Sequence, residues 1–190
     1  MRITIVGSGN VGGTLGRRWA ERGHQVRYAE RGKAAEAAAG ADVLVIAAPW
    51  GAVPEIAAQL AGLTRPVVID ATNPIGRGFS LDLGPGGESG AERLAAQLPG
   101  ARVVKAFNTV GFNVMADPIF EGQPAVLCYC GDDAEARKTV HGLATDLGFE
   151  AVDAGPLAKA RLLEPFALLW ITLAMQQGWG REIGFRLMKR

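Results

Sequence analysis

The chain has 190 residues, enough for one domain with a substantial hydrophobic core. Hydrophobic residues make up 48% and charged residues 21%, a globular composition that excludes a largely disordered chain. The formal net charge is +1 and no basic tract stands out, so we expect no nucleic acid partner. The longest apolar stretch, residues 166–175, is too short to span a bilayer, so no membrane partner is expected either.

The N-terminal segment predicts a strand, a glycine turn, a helix and a second strand. Residues 2–6 are rich in β-branched side chains, and residues 10–22 carry apolar side chains every four positions. Residues 25–29 predict the second strand. This order within about thirty residues is typical of the βαβ unit of a parallel sheet. Since the first residues predict a strand rather than a signal peptide, we expect a cytoplasmic protein.

Further apolar runs continue the alternation of strands and helices. Strands are predicted at residues 42–47, 66–70, 102–106, 125–130 and 150–153. Helices are predicted between most of them, at residues 54–61, 91–98 and 133–147. The predicted fold is α/β: a Rossmann-type, doubly wound, mostly parallel sheet followed by a C-terminal helical segment.

One interval of this pattern is unusually short. Only about a dozen residues separate the second strand from the strand at residue 42, which leaves room for one short helix at residues 34–39. The usual third strand, on the adenosine side of such a sheet, is therefore predicted to be missing.

Three further segments complete the prediction. Residues 73–90, rich in Gly, Pro and Ser, predict a long loop. Residues 157–190 predict a helix that Pro165 should end or kink. Cys128 and Cys130 lie on one face of a strand and are interpreted as reduced core thiols, with no metal site. We expect residues 1–155 to form a dinucleotide-binding domain and residues 156–190 a helical extension within the same structural unit.

A glycine-rich loop follows the first strand and opens the first helix. It comprises Gly7, Ser8, Gly9, Asn10, Val11 and Gly12. In a dinucleotide site Gly7 permits the tight turn, Gly9 leaves room for the pyrophosphate, and Gly12 allows close packing of helix on strand. The helix N-terminus offers N–H groups and partial positive charge to the phosphates, and Ser8 and Asn10 could add side-chain donors. The alternative is a glycine turn without a ligand.

The residues after the second strand carry mixed signals for cofactor choice. Glu30 is the acid expected to accept a hydrogen bond from the ribose 2′-hydroxyl of NAD, whereas Arg31 and Lys33 would attract the 2′-phosphate of NADP. Both cofactors therefore stay open, and so does the reading of these residues as surface charges.

Polar and small residues follow three further strands at the edge where ligands of doubly wound sheets bind. For the cofactor these are Ala48, Pro49, Trp50, Thr72, Asn73 and Pro74, and for the substrate Asn108 and Thr109. Their amides and hydroxyls suit a carboxamide and the edge of a heterocycle. The alternative is that they only satisfy their own backbone.

No residue stands out as a catalytic acid or base. His24 precedes the second strand, where a structural role is expected, and His141 is expected to be solvated. A flavin-type acceptor needs little acid–base assistance, so this pattern favours it over a carbonyl substrate. Phe112 and Trp179, like Trp50, could stack on such a ring.

Motifs along most of the chain resemble the NADPH-dependent deazaflavin-coenzyme reductases, and more distantly the reductase domain of mammalian metalloreductases. The matching segments are residues 5–12, 23–26, 41–50, 70–74, 103–109, 130–133, 153–157 and 160–161. The resemblance implies hydride transfer between NADP(H) and a flavin-type acceptor such as a deazaflavin, without a covalent intermediate. It also implies a Ser/Thr–Arg pair for the 2′-phosphate, which Arg31 matches and Glu30 does not.

The C-terminal segment predicts self-association. Residues 162–175 form a helix that is apolar nearly all round, and the resemblance implies dimers built through this region. We expect a homodimer or a dimer of dimers, the alternative being a monomer whose helix folds over its own strands. Two other functions stay open: a dinucleotide-binding sensor without turnover, and a reductase of small carbonyls or imines.

Overall fold

A computed structural model describes residues 1–64 and 66–190 of the chain. The strands are β1 (Arg2–Val6), β2 (Gln25–Ala29), β3 (Val43–Ile46), β4 (Val67–Asp70), β5 (Arg102–Lys105), β6 (Ile119–Phe120), β7 (Gln123–Pro124), β8 (Val126–Gly131) and β9 (Glu150–Asp153). In the described part of the chain, seven of them form one sheet in the order β2-β1-β3-β4-β5-β8-β9. All neighbours are parallel except β5 and β8, which confirms the predicted Rossmann-type, mostly parallel sheet.

Helices cover both faces of the sheet. They are α1 (Asn10–Glu21), α2 (Ala34–Ala38), α3 (Val53–Leu60), α4 (Gly90–Gln97), α5 (Phe112–Ala116), α6 (Ala134–Asp146) and α7 (Ala160–Ile171). One core cluster contains buried residues of α1, α5 and α6, and the other contains buried residues of α2, α3, α4 and α7. Alternate residues of each inner strand therefore enter opposite cores, which explains the continuous apolar runs in the sequence.

Trp19 fixes α1 in the first of these cores. Its side chain is fully buried, and its ring meets Phe107 edge to face at 5.5 Å between centroids. The indole nitrogen donates a hydrogen bond of 3.1 Å to the carbonyl of Leu143 in α6. The helix that follows the glycine loop is thus held to the sheet and to its neighbour by one side chain.

The adenosine side of the sheet is short, as predicted. β2 is the last strand on that side in the described part of the chain, and α2, with five residues, connects it toward β3. The chain returns to the sheet centre without the usual third strand. α2 then packs directly against α3.

Pro165 does not end the C-terminal helix, so that part of the prediction was wrong. α7 extends from Ala160 to Ile171 with Pro165 inside it. Proline removes one backbone donor, the one that would bond the carbonyl of Arg161. Pro165 lies on the exposed side of α7, where water can replace that donor, while the opposite side stays packed on the protein. A π-helical turn, Thr172–Gln176, extends the segment.

The segment between β5 and β8 contains structure that the apolar pattern did not predict. It holds α5 and the small β6–β7 hairpin, and it brings β8 into the sheet antiparallel to β5. Elements of two and five residues are too short to carry a recognisable periodicity. Among the described residues, no helix combines the length and apolar character needed to cross a membrane.

Candidate functional site

Two positions of the glycine loop have no room for a side chain. Gly7 has φ +109°, and a Cβ there would lie 2.3 Å from the carbonyl oxygen of Ala47. A Cβ on Gly12 would lie 1.9 Å from the oxygen of Gly7, so α1 approaches the strand closely only because this residue is glycine.

The position of Gly9 is open. An added Cβ would meet no atom within 4 Å, and the residue has ordinary extended dihedral angles as the N-cap of α1. No side chain caps this helix, and its first turn contains no acidic residue. The first N–H groups of α1 and their partial positive charge are therefore available to an anion.

A cleft of about 420 Å³ lies beside this loop. Its walls come from the loop, the end of β2, the end of β3 and one face of α3. The lining residues are Val6, Gly7, Ser8, Ala29, Glu30, Arg31, Gly32, Ala34, Ala48, Pro49, Ala52, Glu55, Ile56 and Gln59. Its size and mixed lining suit part of a nucleotide.

Two of the three charged residues that follow β2 line the cleft, and the third forms an ion pair with one of them. Glu30 and Arg31 both line the cleft. Lys33 does not, and its ammonium group lies 2.6 Å from the Glu30 carboxylate. Because both side chains of this ion pair are more than half exposed, the pair is weak and could be exchanged for a ligand.

The end of β3 contributes Ala48 and Pro49 to the cleft but turns Trp50 away from it. The Trp50 indole nitrogen donates to Asp82 at 2.8 Å, which lowers the pKa of that carboxyl. The guanidinium of Arg93 lies 5.1 Å from the ring centroid. The Trp50 ring thus packs on the long loop and α4 and does not line the cleft.

Three groups of Thr72, which follows β4, form hydrogen bonds with buried side chains. Its N–H and hydroxyl donate to Asp70 at 3.0 and 2.7 Å, and its carbonyl accepts from Lys105 at 2.8 Å. Pro74 is buried beside it, and its carbonyl accepts from the backbone of Asp82. These two residues support the edge of the sheet from beneath.

Asn73 and Asn108 bind each other across two strand ends. The Asn73 amide donates to the backbone carbonyl of Asn108 at 2.9 Å, and the Asn108 amide donates to Asn73 Oδ1 at 3.1 Å. The Asn108 amide also donates to the carbonyl of Leu163 in α7 at 3.2 Å. Asn108 Oδ1 is buried and accepts no hydrogen bond from the described residues. A buried amide oxygen without a donor is costly, so it is a candidate acceptor for a ligand N–H.

Phe107 turns the chain just before Asn108. Its φ is +63°, an uncommon value for a residue other than glycine, and its side chain is buried against Trp19 and Phe149. Packing on both sides holds the strained backbone in place. Such strain is often found at functional sites.

The remaining predicted substrate residues lie apart from the cleft lining. Thr109 is buried, and Phe112 at the start of α5 has the Arg181 guanidinium 5.7 Å above its ring. Trp179 is 70% exposed in the C-terminal tail. The structure therefore brings together the loop, the end of β2 and the end of β3, and leaves these aromatic residues outside.

Neither histidine lies in the cleft lining. His24 Nε2 lies 3.1 Å from Asp146, and its Nδ1 faces the N-terminal amine at 3.4 Å. His141 Nδ1 bonds the Tyr129 hydroxyl at 3.1 Å. The structural role expected for His24 matches these contacts.

A fully buried charge cluster beneath the strand ends was not found from the sequence. Lys105 Nζ lies 2.9 Å from Asp70 and 2.8 Å from Glu164 of α7, and all three side chains are inaccessible to solvent. Glu164 also accepts from the backbone of Gly90 and Ala91, at the start of α4. Burial alone would lower the pKa of Lys105, but the two carboxylates outweigh it and raise that pKa above its ordinary value.

Replacing Lys105 by Met should reduce the free energy of unfolding by about 3–5 kcal/mol, because two buried carboxylates lose their counter-ion. Urea unfolding of the variant and the wild-type protein measures this loss.

Lys138→Met on α6 is the matched control. Lys138 is exposed, so its replacement should change stability by no more than about 0.5 kcal/mol. Equal urea midpoints for Lys105→Met and Lys138→Met would show that the buried cluster does not stabilise the fold.

Comparison with known proteins gives matches to a family model, to sequence relatives and to solved structures. The family model described as "NADP oxidoreductase coenzyme F420-dependent" matches residues 28–74. The metalloreductase STEAP3 of Rattus norvegicus is 36% identical over 113 residues, which are 60% of this chain and 22% of that protein. The F420-dependent NADP reductase of Methanocaldococcus jannaschii is 29% identical over 144 residues, 73% of this chain and 64% of that one. The chain thus spans less than two thirds of either relative.

A solved structure matches the whole chain. It comes from Arthrobacter sp. FB24 and is provisionally described as an F420-dependent NADP reductase. The likeness covers 100% of both chains, with 26% identity and a TM-score of 0.87. With the family match and the reductase relative, it shows that this chain is similar in sequence and in fold to coenzyme F420-dependent NADP oxidoreductases.

Proposed function

We propose that this protein is an NAD(P)-dependent oxidoreductase that binds its dinucleotide along the cleft, with the pyrophosphate at Gly9. The observation that carries this proposal is the open, uncapped start of α1 next to the cleft. The N–H groups of Asn10 and Val11 would bind the phosphates, and Ala48 and Pro49 would contact the dinucleotide from the β3 side. When bound, a reduced nicotinamide supplies the hydride.

We propose a flavin-type acceptor, such as a deazaflavin coenzyme. The name of the methanogen relative supports this choice, and so does the neutral character of the predicted nicotinamide end. Asn73 and Asn108 can orient a ring edge through hydrogen bonds but cannot supply a proton as a general acid. This polarity suits a redox partner that carries its own chemistry better than a carbonyl or imine.

A panel of electron acceptors tests the proposed activity. NADPH and NADH are offered with flavin, deazaflavin, quinone and ferric acceptors, and oxidation is followed by the loss of nicotinamide absorbance. We expect turnover with a flavin or deazaflavin. Ferric turnover alone would favour the chemistry named for the metalloreductase relative, and tight dinucleotide binding without any turnover would favour a sensor.

Gly9→Val should abolish dinucleotide binding and leave the protein folded. A Cβ at this position meets no protein atom within 4 Å, so the added bulk is directed into the space assigned to the pyrophosphate. Calorimetric titration with NADPH and NADH measures the loss. Gly142→Val on α6 is the control, because a Cβ there also meets nothing within 4 Å. Unchanged affinity in a folded Gly9→Val protein would contradict the site.

Glu30 and Arg31 should have opposite effects on the affinity for NADPH relative to NADH. Glu30→Ser should raise the affinity for NADPH relative to NADH, and Arg31→Ala should lower it, each by about tenfold or less. The reason is that a carboxylate repels a 2′-phosphate while a guanidinium attracts it. The ratio of the two dissociation constants is measured, with Arg17→Ala on the far end of α1 as control. Equal effects on both cofactors would mean that the two residues are only surface charges.

We further propose that residues 156–190 form a helical extension through which two copies of the chain pair. α7 packs one side on its own domain but leaves Leu162 and Leu169, seven residues apart, 64% and 48% exposed. Met175 and Trp179, further along the chain, are 48% and 70% exposed. A second copy is the simplest cover for these exposed apolar side chains.

Sedimentation at micromolar concentration should reveal a species of about twice 19.9 kDa. Leu169→Glu should convert it to monomer, because it places a charge in the apolar contact. Leu83→Glu, an equally exposed leucine outside the segment, is the control and should leave the dimer intact. A single wild-type species near 19.9 kDa would rule the dimer out.

A further inference from the structure

The outer half of the cleft is formed by one face of α3. Glu55 and Gln59 lie four residues apart, so both belong to the same side of the helix, and both line the cleft. Ile56 and Ala34, each less than 9% exposed, form an apolar surface between them and α2. Because the usual third strand is missing, α2 and α3 together provide the wall of the cleft beyond Glu30.

The orientation of the Gln59 amide is fixed by its neighbour. The backbone N–H of Ala34 donates to Gln59 Oε1 at 3.0 Å. An N–H group can face only an acceptor, so the oxygen must be on this side and Nε2 on the other. Nε2 makes no hydrogen bond with the described residues and remains a donor at the cleft.

Glu55 is the complementary acceptor. It lies in the first turn of α3 and lines the cleft. Its carboxylate is not engaged in a hydrogen bond or an ion pair with the part of the chain that the structure describes. The cleft therefore offers one acceptor and one donor above an apolar surface, the pattern that a heteroaromatic base requires.

We propose that Glu55 and Gln59 determine specificity for the adenine base of the dinucleotide. Glu55 accepts from the exocyclic 6-amino group, Gln59 Nε2 donates to the ring nitrogen N1, and the ring lies on Ile56 and Ala34. The proposal rests on the proposed function, since a pyrophosphate at Gly9 and a ribose at Glu30 put the base next along the cleft.

The hypoxanthine analogue of the dinucleotide is the direct probe. It carries a 6-oxo group in place of the amino group and a proton on N1, so donor and acceptor are exchanged at the edge that Glu55 and Gln59 face. Calorimetry compares each analogue with its adenine parent, in the NADPH or the NADH form, whichever binds more tightly. We expect the wild-type protein to prefer adenine by about tenfold or more.

Two variants test the residues themselves. Glu55→Gln supplies a donor for the 6-oxo group and should reduce the preference to near unity. Adding Gln59→Glu keeps an oxygen for Ala34, provides an acceptor for the N1 proton and restores the net charge. The double variant should prefer hypoxanthine. Glu36→Gln on α2 removes the same charge outside the cleft lining and should keep the wild-type ratio.

The outcomes distinguish a failure of this proposal from a failure of the proposed function on which it rests. If the wild-type protein binds neither dinucleotide, the proposed function fails. If it binds the adenine and hypoxanthine dinucleotides equally, or if the double variant keeps the adenine preference, dinucleotide binding stands. Recognition of the base by Glu55 and Gln59 is then overturned. The wild-type comparison needs no variant, so a poorly folded mutant cannot obscure the result.

Discussion

A single ammonium group, Lys105 Nζ, joins parts of this molecule that are distant along the chain. It contacts Asp70 at the end of β4 and Glu164 in α7, and Glu164 in turn accepts from the first N–H groups of α4. Buried ions stabilise a fold only when every one of them is paired and hydrogen-bonded. Here the carboxylate oxygens that remain are satisfied by backbone N–H groups and the Thr72 hydroxyl. The cluster therefore permits one relative placement of sheet, α4 and α7.

The polar edge of the sheet is supported by this cluster. Asn73 follows Asp70 by three residues, and Asn108 follows Lys105 by three, so their mutual hydrogen bonds form directly above the charges. Asn108 also reaches the carbonyl of Leu163, the residue before Glu164. A shift of α7 would therefore displace the hydrogen-bonded side chains of Asn73 and Asn108. The C-terminal segment is part of the framework of the candidate nicotinamide end, whatever its role in self-association.

Sequence reasoning succeeded where a local rule decides the structure. Gly7, Gly9 and Gly12 follow a spacing set by backbone sterics, and the short interval before residue 42 left no room for another strand. It failed where partners are far apart in the chain. Nothing near Lys105 reveals a carboxylate 59 residues later at Glu164, and an apolar run does not tell that Trp50 bonds Asp82. Pro165 was misjudged because its exposure on α7 depends on what the rest of the helix packs against.

The missing third strand also changes the mechanics of the molecule. β2 is an edge strand, hydrogen-bonded to β1 on one side only, and most of its residues are exposed. Arg27 lies along this edge, where its guanidinium donates to Thr4 and to the carbonyl of Ala39. Edge strands open more readily than central ones, so backbone amides of β2 should exchange with solvent sooner than those of β3. Glu30 and Arg31 are attached to the end of this edge strand, so a ligand held there would stiffen a margin of the sheet that is hydrogen-bonded on one side only.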